Sequence, residues 1–117
     1  MALFRRKELV DVPAHLTEVA LGHLQVHTAE SLVIITLGVA DVALLLGALS
    51  SPTALSAGGR RVVLVPVKDS RLVPAHDPKR GWIIPVTRAV AAEITSTVPA
   101  EPGGYELDGL NVAFIVE

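Results

Sequence analysis

Leu32 to Leu49 reads LVIITLGVADVALLLGAL, eighteen residues with one ionisable side chain, Asp41, and no aromatic. How this stretch is solvated decides the fold. In lipid it is a candidate span; in water it must be the buried centre of a domain or an assembly. Its length is at the lower limit for crossing a bilayer. Six Leu, three Val and two Ile favour insertion by about 5 kcal/mol together, and Asp41 near the middle opposes it by about 3 kcal/mol. Gly38, Gly47 and Thr36 erode the remainder. No Trp or Tyr flanks the run, and Glu30 and Ser50 stand where basic anchors are usual.

The internal pattern favours two elements. Val33–Leu37 (VIITL) is rich in β-branched side chains, which suit a pleated strand. Gly38 permits a bend, and Asp41 is placed to cap a following helix, VALLLGALS, ended by Ser51-Pro52. A buried strand, a turn and a buried helix therefore account for the run. A single-span membrane protein with a soluble C-terminal domain is the alternative. A secretory signal peptide fits worse, because the apolar run starts too late.

A length of 117 residues is one domain, since two halves would be too small to bury separate cores. Half of the residues are apolar, yet the aromatics are only Phe4, Trp82, Tyr105 and Phe114, so the core must be aliphatic. A mean hydropathy of +0.52 is high for a free monomer and points to a partner surface. The absence of cysteine excludes disulfides, thiolate catalysis and cysteine-ligated metals.

The net charge of −2 hides a segregation. Residues 60–88 carry Arg60, Arg61, Lys68, Arg71, Lys79, Arg80 and Arg88 against Asp69 and Asp77, a net of +5. Residues 89–117 carry five carboxylates and no base, a net of −5. Charges arranged in this way can set the register between neighbouring subunits.

Outward from the central run, residues 1–12 are a polar lead-in. The spacing of Leu16, Val19, Ala20, His23, Leu24 and His27 after Pro13 predicts a helix over 13–27, with a strand over 19–28 as the other reading. Residues 50–60 and 98–104 read as flexible loops. Strands are expected at 61–68 and 82–86, with 71–75 pairing back and HDPKRG (76–81) as a loop. Pro66, Pro74 and Pro85 require those strands to be short, bulged or at an edge. Thr87 is placed to cap a helix over 88–96, and Asp108-Gly109 to turn a closing hairpin. The expected fold is α+β and β-rich, a single small domain of about five or six strands and two or three short helices.

The candidate sites are weak. His23 and His27 have the i, i+4 spacing of zinc ligands, with His15 and Glu30 nearby, but no second ligand cluster accompanies them. The Gly58-Gly59-Arg60-Arg61 turn resembles a phosphate cradle in composition, yet it leads into a strand and lacks a following Lys-Ser/Thr pair. The basic segment has a single aromatic beside it, Trp82, which disfavours nucleic acid as a partner. No serine lies in a nucleophile-elbow context, and His76-Asp77 before Pro78 reads as a turn. No catalytic residue, cofactor or metal is assigned.

The resulting expectation is a non-enzymatic structural or assembly protein, forming a homo-oligomer or part of a larger complex. Its interface would draw on Arg60, Arg61, Lys79, Arg80, Trp82, Glu106 and Asp108. A virion or shell component, or a cytoplasmic one, would suit such a chain. Besides the membrane alternative, a small ligand-binding or enzymatic domain is the third reading.

Overall fold

The computed structural model describes residues 10–117, so nine of the twelve lead-in residues lie outside the described part. The described residues form a small α+β domain, with nine strands in two sheets and two helices among them. The strands are β1 (Thr17–Ala20), β2 (Leu24–Ala29), β3 (Leu32–Leu37), β4 (Thr53–Ala57), β5 (Arg60–Pro66), β6 (Ala75–Asp77), β7 (Gly81–Val86), β8 (Gly103–Glu106) and β9 (Val112–Val116). Helix α1 (Val42–Gly47) follows a 3-10 turn at Val39–Asp41, and α2 spans Arg88–Thr97. The first sheet has the order β1-β4-β5-β7-β6 and the second β2-β3-β9-β8.

The opening stretch is β3, the 3-10 turn and α1, so it divides into strand and helix. No helix among the described residues is long and apolar enough to cross a membrane. Asp41 precedes α1, but its carboxylate makes no capping bond to that helix. It instead accepts from the backbone N–H groups of Gly22 (2.8 Å), His23 (3.1 Å) and Gly38 (3.0 Å).

Strand alternation builds the main core. Val33, Ile35 and Leu37 of β3, Val62 and Leu64 of β5, Ile84 and Val86 of β7, and Phe114 and Val116 of β9 are all buried in one cluster. Val42 and Leu45 of α1 and Val90 and Ile94 of α2 join it. The other face of the first sheet forms a smaller cluster, Ala54, Val63, Val65 and Ile83, covered by Val10, Val12 and Leu16. Residues 62–65 of β5 are therefore buried on both faces, as a central strand requires.

Several expectations need correction. The helix over 13–27 is two strands: β1 pairs parallel with β4 and β2 antiparallel with β3. Gly22 leaves the chain free to cross between sheets there, and tertiary pairing overrides a weak helical period. The 50–60 loop contains β4, whose Thr53, Ala54 and Leu55 are buried; small residues disguised a strand. Residues 71–74 do not pair back; the return strand is Ala75–Asp77, which takes the last residue of the expected strand and the first two of the expected 76–81 loop. The 98–104 loop ends in the start of β8. These short strands are why the count exceeds six.

Pro85 shows how a proline enters a strand with a neighbour on each side. It pairs with Val65 of β5, while β6 reaches only as far as Ile83. Helix α2 forms as expected, with Thr87 Oγ1 accepting from Val90 N–H at 3.1 Å.

Candidate functional site

Four of the seven basic residues of 60–88, Arg60, Arg61, Lys79 and Arg80, converge on one cleft of about 390 Å³. Its walls are Arg60 and Arg61 at the start of β5, the 76–81 turn with Asp77, Lys79 and Arg80, and Trp82 on β7. Val26 of β2 contributes from the second sheet. His76 packs edge-on against Trp82 with ring centroids 5.3 Å apart. Trp82 also packs on the main core from its half-buried position, so the tip sits on a fixed wall.

Local chemistry holds both turns. Gly58 and Gly59 have φ of 57° and 81°, the left-handed pair that a tight hairpin between β4 and β5 needs. Asp77 Oδ1 accepts from Lys79 N–H at 2.7 Å and Arg80 N–H at 3.0 Å. Those two bonds hold the Asp77 carboxyl below its usual range. Gly81 has φ 83°, and any Cβ there would collide with the Arg61 carbonyl oxygen. That close approach seats the end of the turn against the start of β5, so that Arg80 and Arg60 line the same cleft.

The charges are unequally matched. Arg61 makes a bidentate pair with Glu18 of β1, at 3.1 and 3.2 Å. Arg60, Lys79 and Arg80 form no ion pair with any described residue. All three are exposed.

No known protein family matches this sequence, and no curated protein matches it.

Glu106 and Asp108 do not line the cleft. Glu106 ends β8, the edge of the second sheet opposite β2, and Asp108 follows in the turn to β9. Both are exposed, as is Glu101, and none of the three pairs with a described cation. The turn itself is held by Glu93 of α2, whose carboxylate accepts from the N–H groups of Asp108 and, at 2.9 Å, Gly109. It is longer than the two-residue hairpin expected, and Gly109 has no positive φ.

The remaining candidates disperse. His27 lies exposed on β2 and His23 precedes it, with Nε2 3.1 Å from Glu117 Oε1 but not aligned for a hydrogen bond. No group of three His, Cys, Asp or Glu side chains among the described residues could hold a metal. His76 and Asp77 point to different tasks, one on Trp82 and one on the turn.

Sequence reasoning missed two anchoring carboxylates, Glu18 and Glu93, and gave a third, Asp41, the wrong task. Glu18 and Glu93 act on residues at least 15 positions away, as Asp41 does on Gly22 and His23, so no local motif marks these bonds. The isolation of Asp41 within an apolar run was the one available signal.

Proposed function

We propose that this chain is a non-enzymatic assembly subunit that associates head to tail, its basic cleft receiving carboxylates from the β8 edge of the next copy or of another subunit. The observation that carries this is the pair of uncompensated patches: Arg60, Lys79 and Arg80 on one side, Glu101, Glu106 and Asp108 on the other. In the second sheet, β2 adjoins the cleft and β8 lies three strand spacings away, about 14 Å. Exposed charges at that distance are largely screened, since the Debye length is about 8 Å at physiological salt. They gain little from one another within a copy and considerably more in contact between copies. The two patches differ, so the contact is heterologous and propagates into a ring or a filament. Trp82 supplies the rigid aromatic wall around which such contacts concentrate. A virion or shell component remains one setting for a subunit of this kind.

Size exclusion with light scattering, without detergent, tests the proposal. Association that grows with concentration at about 50 mM salt and falls away at about 500 mM is expected. A monomer at every concentration and salt level would overturn it.

A further inference from the structure

We propose that the cleft between the β4–β5 turn and the 76–81 turn is a binding site for a phosphate-type anion, with Arg60 and Arg80 as the principal ligands and Lys79 as a third charge. The parallel pairing begins at Val62 and Trp82, so Arg60 at the start of β5 and Arg80 in the turn just before β7 lie at the same end of the neighbouring strands, and both line the cleft. Like charges lining one cleft repel, and neither arginine side chain makes an ion pair with a described carboxylate. A divalent anion between them relieves that repulsion and meets the two planar forks of donors that suit tetrahedral oxygens.

The corner is also built in advance. Gly81 accepts a backbone conformation that ordinary residues avoid and lies against the Arg61 carbonyl, while Asp77 fixes the two N–H groups of the turn. Asp77 is the one acidic residue of the lining, and its Oδ1 is already engaged by those bonds. Arg61 is tied to Glu18 and so frames the cleft without competing for the anion. A volume of about 390 Å³ admits a pyrophosphate group with room beside Trp82 for a planar substituent. The site uses the cleft alone and stands whether or not copies associate. Resting on the assembly reading, one consequence follows: a seated anion displaces the neighbour's carboxylates.

Trp82 is the sole tryptophan and reports directly on the cleft. The experiment titrates the whole chain with inorganic pyrophosphate, ADP and sulfate at matched ionic strength, following Trp82 emission and, in parallel, heat by calorimetry. Saturable binding of pyrophosphate, tighter than sulfate, is expected. The Arg60→Ala/Arg80→Ala variant should weaken it by about tenfold or more. Circular dichroism melts of that variant establish that it is folded. ADP equal to pyrophosphate assigns the affinity to phosphate alone; ADP tighter and more strongly quenching places a base on Trp82, and both support the site. Glu106→Lys/Asp108→Lys, which should abolish assembly, is expected to keep the pyrophosphate affinity, so the two proposals fail separately. Sulfate matching pyrophosphate, no saturable signal by either readout, or unchanged affinity in the folded double-arginine variant would each overturn the site.

Discussion

The Asp41 corner and the Arg60–Arg80 corner are both places where charge meets tightly turning backbone, and they handle it in opposite ways. Asp41 is 5% exposed, and three N–H groups from two separate segments converge on its carboxylate. Arg60 at the start of β5 and Arg80 on the 77–81 turn stand exposed, and neither side chain makes an ion pair with a described carboxylate. In the first corner the charge is consumed by the fold; in the second the fold presents it. Changes at the first should therefore appear in stability, and changes at the second in binding.

The largest effect expected is that of Asp41→Ala. It orphans the N–H groups of Gly22, His23 and Gly38 where the chain crosses from β1 to β2, and should cost about 3 kcal/mol in urea unfolding. A loss under about 1 kcal/mol would mean that water takes over those donors and that the crossing does not depend on Asp41.

Acid unfolding tests the same corner. Burial alone would raise the Asp41 carboxyl, but the bonds from Gly22, Gly38 and His23, with the nearby His23 charge, outweigh it and hold the group below 3.8. A carboxyl depressed on folding contributes stability that is complete above its unfolded value and is lost as pH falls through the folded one. Unfolding free energy should therefore decline from about pH 4 downward, and Asp41→Ala should flatten that slope. An unchanged slope in the variant would assign the acid sensitivity elsewhere.

Gly81→Ala joins the two halves of the comparison. Positive φ and the collision with the Arg61 carbonyl should cost about 2 kcal/mol. The displaced turn should also weaken pyrophosphate binding, because Arg80 moves from Arg60. A variant that loses stability and keeps full affinity would show that the corner is not preorganised. Glu93→Ala, which frees the N–H groups of Asp108 and Gly109 at a more exposed site, should cost about 1 kcal/mol by thermal melting.

At the low end, Arg60→Ala should leave stability within about 0.5 kcal/mol of the parent, or raise it slightly by removing repulsion from Arg80. A larger loss would mean that Arg60 serves the fold and that the contrast between the corners is wrong.

Legibility in the sequence followed the same division. The strand–turn–helix reading of Leu32–Leu49 was recoverable because β-branched VIITL and Gly38 act locally, and Thr87 marked α2 in the same way. Asp41 itself was read as a helix cap, since nothing nearby reveals that Gly22 and His23 fold back onto it. β1, β4 and β6 were missed for a related reason: TEVA, TALSA and AHD become strands through their neighbours, with little intrinsic preference of their own. The basic residues of the candidate site were visible as a +5 segment. Their convergence with Val26 around Trp82, and the pairing of Arg61 with Glu18 43 positions earlier, required the parallel β5–β7 and β1–β4 contacts.

A mixing experiment tests most directly whether the presented charges serve association. Arg60→Glu/Arg80→Glu gives a chain with an acidic cleft and an acidic edge, and Glu106→Lys/Asp108→Lys gives one with a basic cleft and a basic edge. Each should be monomeric alone by light scattering at low salt, and an equimolar mixture should recover the association of the parent, because every cleft then meets an edge of opposite sign. Two variants that stay monomeric when mixed, or that associate separately as well as the parent does, would contradict the head-to-tail contact.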